Sequence, residues 1–400
     1  MSTVDPISRP VLFVSHEASR TGAPMLLLSL LRWLKANTDL AFEVALLRGG
    51  ALAEDFARIA PTTTLTEVGI GRNGILRRIG RVPGVGPALK SAWRRVVGRR
   101  MAAPQPRLIY ANSVGTASLV RHLAPGGVPV LVHVHELERA IRVAANPGDM
   151  AALKDRATRF VAVSAPVREN LIRNHGIEPG QIDLIPAFVT VDPSIVRDAD
   201  QHRANTRRRL GIPDEALVVG GCGGTDWRKG ADLFADMAQI VAGGWSGPRP
   251  VHFVWVGKIV DDDFTRDLRR KIEQSGFGAA FHLTGEQPRP AEMFCGYDVF
   301  VLSSREEPMG MVALEAAAVG KPIVCFADAG GMPEFVGTEC GRIVSPMTPE
   351  ALAEGVTDLL ADDRLRIALG RSAQAKVGAC HHVEVVGPRI EHLIRRLFQD

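Results

Sequence analysis

The sequence lacks any uninterrupted apolar stretch of the roughly 20 residues that a membrane-spanning helix requires. Residues 1–10 are polar and contain no apolar segment of the kind that marks a secretory signal peptide. These absences argue against an integral membrane protein and against secretion. We therefore expect a cytoplasmic protein whose contact with a membrane would at most be peripheral, at the inner membrane surface.

Cysteine is scarce and scattered. The five cysteines are Cys222, Cys295, Cys325, Cys340 and Cys380, and they show neither the short paired spacing of a zinc site nor a disulfide framework. This usage fits a reducing compartment. No Gly-x-Gly-x-x-Gly segment follows the first predicted strand of either half, which argues against a nicotinamide-dependent oxidoreductase.

The length and composition predict two globular domains. A chain of 400 residues exceeds the size at which one hydrophobic core keeps growing. Apolar residues at 46%, charged residues at 23%, 40 glycines and 26 prolines are typical of a folded chain that is rich in turns. Disorder is therefore not expected.

Short, β-branched apolar runs alternate with helical patterns along the whole chain, which predicts repeated βα units. The predicted strands of the first half are 11–15, 42–47, 108–111, 130–134, 160–164 and 182–186, and those of the second half are 217–222, 252–256, 280–283, 299–302 and 323–326. The fold class that follows is α/β, with two Rossmann-like, doubly wound domains.

We place the predicted domains at 1–190 and 209–378, joined by a polar linker at 191–208. Residues 379–400 are predicted to form a C-terminal helix that packs back on the first domain.

The segment 298–324 is the most informative part of the sequence. Its pattern predicts a strand, a turn, a helix, a turn and a second strand. Gly310 lies where the helix would begin, so free backbone N–H groups and the positive end of the helix dipole would point beyond the carboxyl edge of the sheet. Such a helix start is suited to binding a diphosphate.

Two glutamates flank this helix start. Glu307 precedes the helix and Glu315 lies inside it, eight residues on, which separates them by roughly 8 to 12 Å along a helix axis. Carboxylates at that separation can bind hydroxyl groups at two ends of one elongated ligand, such as a sugar and a ribose. The alternative is that Glu307 caps the helix and Glu315 is solvated.

This segment resembles the Glu-x7-Glu signature of family 4 retaining glycosyltransferases, which have the GT-B fold of two Rossmann-like domains facing a central cleft. The resemblance extends through 284–286 and 330–334 and covers nearly the whole second half. It implies that the second domain binds the nucleotide sugar and the first binds the acceptor. In the second domain, Glu307 would contact the donor sugar and Glu315 would hold the ribose. Gly310, with Met309 and Met311, would offer backbone amides to the diphosphate.

Two further loops fit the resemblance. In 221–230, Lys229 can neutralise a phosphate. The family places an arginine a few residues before this lysine, where this sequence has glycine or threonine, and Arg228 is the candidate substitute. In the first half, Gly22 matches the family's glycine in the loop after the first strand, although glycine turns between a strand and a helix are common.

The segment 132–136 ends another predicted strand with two histidines. His133 and His135 would share one face of the strand, which would also suit a metal, but no third ligand is evident. The resemblance implies that His135 contacts the sugar near the reaction centre. The alternative is a packed histidine at the end of a strand.

Three consecutive aspartates, 261–263, suggest the metal-binding Asp-x-Asp of another glycosyltransferase class. They directly precede a predicted helix from Phe264, where carboxylates cap free amides. We therefore interpret them as a helix cap and expect no metal site.

The basic residues are concentrated between Arg72 and Arg107, with no acidic residue among them. The net charge of the chain is only +4. This stretch suits an anionic membrane surface or acceptor; a solvated loop and helix face is the equal alternative.

Together these features predict a retaining, metal-independent glycosyltransferase that moves a sugar from a nucleotide diphosphate donor to a hydroxyl acceptor such as a glycolipid, a polysaccharide or a small molecule. The expected catalytic residues are His135, Glu307 and Lys229. No cofactor besides the donor substrate and no nucleic-acid partner is expected. The alternatives are a GT-B binding or scaffold protein with a weak or dead site, or another GT-B enzyme such as a sugar-nucleotide epimerase.

Overall fold

A computed structural model of the protein describes residues 9–65, 105–123, 127–145 and 148–399. The chain divides into two compact units. The first unit comprises Met1–Ala187 together with Val383–Asp400, and the second comprises Phe188–His382. Residues 72–104 of the basic stretch lie outside the described residues.

The first unit contains a seven-stranded parallel sheet. Its strands are β1 Val11–Ser15, β2 Phe42–Leu46, β3 Thr62–Thr64, β4 Leu108–Asn112, β5 Val130–Val134, β6 Arg159–Ala162 and β7 Ile182–Leu184, in the order β3-β2-β1-β4-β5-β6-β7. Strands β1, β4 and β5 are buried along their whole length, because both faces of the sheet are covered by helices.

Among the described residues, the α-helices of the first unit are α1 Gly22–Asn37, α2 Ala53–Ile59, α3 Ala117–Leu123, α4 Glu138–Ala144, α5 Asp149–Arg156, α6 Ala165–His175 and, near the C-terminus, α16 Val383–Arg396. Helix α16 packs on α1. Trp33 Nε1 donates to Glu384 Oε2 at 2.8 Å. Gly387 leaves room for the Trp33 ring, since a Cβ there would lie 2.6 Å from it.

The second unit contains a six-stranded parallel sheet. Its strands are β8 Leu217–Cys222, β9 Val251–Val256, β10 Phe281–Leu283, β11 Val299–Leu302, β12 Ile323–Phe326 and β13 Gly341–Val344, in the order β10-β9-β8-β11-β12-β13. In both sheets the chain starts in the middle, builds outwards on one side and then returns to build the other. This order is the doubly wound, Rossmann-like topology that the sequence predicted.

Nine helices of the second unit occur among the described residues: α7 Pro193–Arg197, α8 Ala199–Leu210, α9 Ala231–Gly244, α10 Asp263–Gln274, α11 Pro290–Phe294, α12 Met311–Ala318, α13 Met332–Val336, α14 Pro349–Ala361 and α15 Asp363–Cys380. The core is built around Trp255, Phe234 and Phe253, all at most 2% exposed. Gly221 allows Trp255 to pack across β8, since a Cβ there would lie 2.7 Å from its ring.

The segment 191–208, which its polar composition predicts to be a linker, is helical in the structure. Asp192 caps α7 by accepting from Ser194 N at 2.9 Å. In α8, Arg207 is 1% exposed; it donates to Asp298 Oδ2 at 2.9 Å and also to three backbone carbonyls. The buried Arg207–Asp298 ion pair thus attaches this polar segment to the second unit.

The predicted strands agree with the observed ones to within about two residues at their ends, a normal uncertainty for element boundaries. Strands β3 and β13 are additional, and both are short edge strands. In the part of the chain that the structure describes, no helix is long and apolar enough to span a bilayer.

Candidate functional site

The candidate site of the second unit lies at the carboxyl ends of β8 and β11. These strands are hydrogen-bonded neighbours, but the sheet grows from β8 towards β9 and from β11 towards β12. The loops that follow them therefore lie next to each other at the point where the strand order reverses. Ligands bind at this position in open α/β sheets. The two loops, 223–230 and 303–310, carry most of the residues that the sequence singled out.

An ion pair joins the two loops. Lys229 Nζ lies 2.5 Å from Glu307 Oε2. The Glu307 carboxylate also accepts from Ser304 Oγ at 3.2 Å. Both charged side chains are largely buried, with 17% of Lys229 and 9% of Glu307 exposed. The structure thus brings together two of the predicted catalytic residues, and Glu307 does not cap the helix.

Arg228 lies in the same cluster. Its Nη1 is 3.7 Å from Glu307 Oε2 and donates to the backbone oxygen of Glu306 at 3.0 Å. Two cations therefore face one carboxylate. The family's arginine stands a few residues before the lysine, whereas Arg228 directly precedes Lys229. Arg228 nevertheless brings a guanidinium to the Glu307 carboxylate.

Burial and charge compete at Glu307. Burial disfavours the ionised carboxylate, but the charges of Lys229 and Arg228, with the hydrogen bonds from Lys229 and Ser304, outweigh it and lower the pKa of Glu307 below its usual value. The carboxylate is therefore ionised at neutral pH. The cluster carries one net positive charge, which favours an anionic ligand.

The position of Lys229 depends on its own loop. Asp226 Oδ1 accepts from the backbone N–H of Lys229 at 3.0 Å. Its aliphatic stem lies over Gly223, where a Cβ would come within 2.9 Å of the lysine Cγ. A side chain at Gly223 would displace the ammonium group from Glu307.

Gly230 allows the two loops to approach each other. Its φ of +68° is in the left-handed region. A Cβ at this position would lie 2.0 Å from the backbone oxygen of Ser303. Ser303 Oγ in turn donates to the Gly230 backbone oxygen at 2.9 Å. Only glycine fits between the loops at this point.

Arg305 also connects the two loops. Its guanidinium binds both carboxylate oxygens of Asp232, at 2.8 and 2.6 Å, and donates to the backbone oxygen of Trp227 at 2.7 Å. It lies 4.9 Å from the centroid of the Trp227 ring. This bidentate pair holds the loop of Glu307 against the first turn of α9.

Helix α12 starts directly after the second loop. Gly310 is its N-cap residue, and a Cβ there would lie 2.8 Å from Leu302. Met309 is buried, and Met311 is the first helical residue. Ala313 N and Leu314 N both donate to the backbone oxygen of Gly310, at 2.9 and 3.0 Å. The N–H groups of the two residues before them have no acceptor within the helix and lie at the positive end of its dipole.

Glu315 lies inside α12 as a half-buried residue whose Oε2 is shielded from solvent, so it is not a fully solvated side chain as the alternative supposes. Among the described residues nothing pairs with its Oε2. Burial raises the pKa of Glu315 to about 7. An unpaired buried carboxyl group is costly and is suited to a ligand hydroxyl group.

The remaining two predicted residues belong to the first unit. Gly22 is the first residue of α1, after the N-cap residue Thr21. His135 follows β5, and its Nε2 lies 2.8 Å from Asn112 Oδ1 at the end of β4. Both lie at the carboxyl edge of the first sheet, next to the point where β1 and β4 diverge.

His133 is a packed core residue. It is 0% exposed, its Nδ1 lies 2.5 Å from Tyr110 Oη, and burial lowers its pKa to about 3. Its ring lies 4.1 Å from that of His135, centroid to centroid. Within the described ranges no cluster of three or more potential metal ligands occurs.

The aspartates at 261–263 cap a helix. Asp262 Oδ1 accepts from Thr265 N at 2.9 Å at the start of α10, and Asp261 and Asp263 pair with Arg266. The interpretation as a helix cap is confirmed.

Sequence reasoning did not single out several residues of these sites. They are Ser303, Ser304, Arg305 and Asp232 in the second unit and Asn112, Ser113 and Glu136 in the first. Arg305 stands inside the recognised segment 298–324, but Asp232 becomes its partner only in the fold. Asn112 directly follows the predicted strand 108–111, and a polar residue at the end of a strand is the signal that could have identified it as a site residue.

Two family models match the chain and together cover most of it. The model described as Glycosyltransferase Family 4 matches residues 21–192, and the model described as Glycosyl transferases group 1 matches residues 215–362. The chain belongs to glycosyltransferase family 4. This confirms the resemblance to family 4.

Among curated proteins, the D-inositol 3-phosphate glycosyltransferase of Xylanimonas cellulosilytica is 28% identical over 271 residues, which is 62% of this chain and 62% of that protein. The match thus spans about three fifths of the relative's length. The solved structure of Anabaena HepE in complex with UDP and glucose covers 97% of this chain and 99% of HepE, with a TM-score of 0.76 and 20% identity.

The sucrose-phosphate synthase of Thermosynechococcus elongatus has a similar structure, with a TM-score of 0.74, 19% identity, and 98% and 99% of the two chains covered. These similarities, with the two parallel sheets, establish the GT-B fold of two Rossmann-like domains for this family 4 member.

Proposed function

We propose that the protein is a retaining glycosyltransferase that transfers a sugar from a nucleotide diphosphate donor to a hydroxyl acceptor. The observation that carries the proposal is the Lys229–Glu307 pair, with Arg228 beside it, at the strand divergence of the second domain. The pair places a cation for a diphosphate within one hydrogen bond of a carboxylate for a sugar hydroxyl group.

The second domain supplies the donor site in this proposal. The diphosphate binds Lys229, Arg228 and the amides of Gly310 and Met311. The sugar reaches Glu307, and the ribose reaches the buried carboxyl group of Glu315. Donor binding then replaces part of the Lys229–Glu307 contact, and the net positive charge of the cluster offsets the charge of the incoming diphosphate.

The reaction breaks the bond between the sugar C1 and the diphosphate oxygen and forms a bond between C1 and the acceptor oxygen. The departing diphosphate takes the proton of the acceptor hydroxyl group. Charge develops on the leaving oxygen in an oxocarbenium-like transition state, and Lys229, Arg228 and the helix amides stabilise it. Acceptor attack on the face that the diphosphate leaves gives retention, without a covalent carboxylate intermediate.

Two basic side chains and a helix start already supply positive charge to the diphosphate, and this supports the metal-independent form of the proposal. The alternative of a binding protein with a weak or dead site rests on the missing arginine before Lys229. Arg228 weakens that argument, because it places a guanidinium 3.7 Å from the Glu307 carboxylate.

Similarity guides the choice of substrates. The HepE structure contains UDP and glucose, and the curated relative acts on D-inositol 3-phosphate, so a UDP-sugar and a phosphorylated polyol are the first pair to test. A lipid acceptor at an anionic membrane, reached through 72–107, is the second. The basic residues of that stretch would add on the order of 1 kcal/mol each to binding at an acidic surface.

The experiment is a thermal-shift screen of UDP-, GDP-, ADP- and TDP-sugars, followed by nucleotide-release assays with and without D-inositol 3-phosphate. A donor at about 100 times its dissociation constant should stabilise the protein by roughly 2.7 kcal/mol. The configuration at C1 of the product, read by NMR, tests retention. A protein that binds no sugar nucleotide, or binds one and never releases its nucleotide, would contradict the proposed function.

A further inference from the structure

The first unit contains a buried amide that the proposed reaction does not use. Asn112, the last residue of β4, is 0% exposed. A buried amide group has an oxygen that only accepts hydrogen bonds and a nitrogen that only donates them. Its partners therefore determine which way it faces, and the amide in turn constrains the protonation of those partners.

Asn112 lies between α1 and His135. Its Nδ2 donates to the backbone oxygen of Ala23 at 3.0 Å, and its Oδ1 lies 2.8 Å from His135 Nε2. The Ala23 oxygen only accepts, so it holds the NH2 group on its own side. Oδ1 then faces the imidazole, and because Oδ1 only accepts, His135 Nε2 must carry a hydrogen.

The surroundings of His135 disfavour a second proton on the ring. His133 and His16 are its imidazole neighbours, and its backbone N–H donates to Glu136 Oε2 at 2.8 Å. Burial, together with these two neighbours, holds the pKa of His135 well below its usual value. Burial also raises the pKa of Glu136, against its hydrogen bonds from Ser113 and from backbone N–H groups.

We propose that Asn112 is a positioning residue that holds His135 as the Nε2–H tautomer, so that Nδ1 accepts a hydrogen bond from a ligand hydroxyl group. A lone pair at Nδ1 cannot bind a phosphate or carboxylate oxygen, because those groups only accept. The ligand group at this nitrogen is therefore a hydrogen-bond donor, and the hydroxyl groups of sugars and polyols are donors of this kind. That it belongs to a sugar or polyol rests on the glycosyl transfer proposed above, whereas the tautomer does not.

The tautomer is measured directly by long-range proton–nitrogen NMR of protein labelled with ¹⁵N-histidine, with the His135 signals assigned by their loss in His135→Gln. We expect Nε2 to resonate as a protonated, pyrrole-type nitrogen and Nδ1 as a bare, pyridine-type nitrogen at neutral pH. A protonated Nδ1 in the wild-type protein would overturn the proposal.

Asn112→Leu removes both amide contacts while keeping the number and branching of the side-chain heavy atoms, and it should convert the His135 signals to those of mixed tautomers. Asn112→Asp keeps an acceptor towards Nε2 and should preserve the Nε2–H form, so it serves if the leucine variant does not fold. The matched control is Asn170→Leu, which changes a buried asparagine in α6 of the same unit. Asn112→Leu spectra with an unchanged tautomer, or loss of Nε2–H in Asn112→Asp, would count against the proposal.

Turnover is then measured with any donor and acceptor pair that the screen identifies. Asn112→Leu should reduce kcat/KM by about tenfold or more, with the donor's thermal shift unchanged and with Asn112→Asp retaining part of the activity. An equal loss in Asn170→Leu would reduce the role of Asn112 to stability. If no sugar nucleotide is turned over, the glycosyl transfer fails, while the NMR result still decides the tautomer.

Discussion

Lys229 and Glu307 are 78 residues apart in the chain and 2.5 Å apart in the fold, between Nζ and Oε2. Each comes from a loop at the carboxyl end of a different strand, and the strands β8 and β11 are neighbours. The proposed donor site depends on this pair, and the first two predictions test it.

Glu307→Gln should fold normally and lose most of its turnover at saturating donor. A charge-assisted hydrogen bond is worth roughly 1.5 to 3 kcal/mol, which corresponds to a loss of about 10- to 150-fold in kcat. Glu306→Gln makes the same change one residue away and should remain active. Wild-type turnover in Glu307→Gln would remove this carboxylate from the reaction.

Gly230→Ala should weaken donor binding and lower the melting temperature more than Gly320→Ala does. Both glycines have positive φ, +68° and +77°, so an alanine is strained at either one. Only at Gly230 would the new Cβ meet a backbone atom, at 2.0 Å from Ser303, while Gly320 has open space. Equal effects in melting and donor-titration experiments would show that the approach of the loops does not matter for binding.

Glu315 should make stability depend on pH. Its carboxyl group keeps its proton up to about pH 7 in the folded protein but has an ordinary pKa of 4.5 when exposed. As the pH rises through this window, the unfolded state loses the proton first, so the free energy of unfolding falls by no more than about 3 kcal/mol.

Glu315→Gln removes that dependence. The melting temperature of the variant, minus that of the wild type, should increase between about pH 5 and about pH 8 and then level off. Glu273→Gln, at an exposed position, is the control. A constant difference across the range would mean that Glu315 ionises normally in the fold.

Chelation should not abolish turnover. Lys229, Arg228 and the amides at the start of α12 supply the positive charge that the leaving diphosphate needs. After treatment with EDTA and desalting, kcat should stay within about twofold of its original value. Activity that disappears and returns with Mn²⁺ or Mg²⁺ would show instead that a metal ion neutralises the diphosphate.

The basic stretch 72–107 should bind acidic membranes. The protein should sediment with liposomes containing acidic lipids at low salt and dissociate as the Debye length shortens from about 10 Å at 0.1 M towards about 3 Å at 1 M. Replacing Arg94, Arg95, Arg99 and Arg100 with serine should weaken sedimentation without changing donor affinity.

The control for that variant replaces four exposed arginines of the second unit with serine, namely Arg208, Arg209, Arg269 and Arg270. It changes the net charge equally and should still sediment. If neither acidic nor neutral liposomes retain the wild-type protein, the stretch acts as a solvated segment and a soluble acceptor is favoured.

Local sequence alone predicts most strands of this protein and the starts of helices α10 and α12. Strand 11–15 was evident from its β-branched apolar run, and the cap at 261–263 from three carboxylates before a helical pattern, because short-range sterics and hydrogen bonding determine both. The resemblance to family 4 added Glu307, Glu315 and Lys229 as site residues. The fold brings Lys229 into contact with Glu307, and it leaves Oε2 of Glu315 buried without a partner in the part of the chain that the structure describes.

Long-range packing decided the rest. The polar composition of 191–208 indicates a linker, but contacts with residues far along the chain, among them Arg207 with Asp298 and Asp192 with Arg289, make it part of the second unit. No local pattern shows that Arg228 lies beside Glu307 or that Arg305 pairs with Asp232. The hydrogen bonds of Asn112 with Ala23 and His135 are equally invisible in the local sequence. These contacts join residues on different strands and loops, and the order of strands in the sheets brings them together.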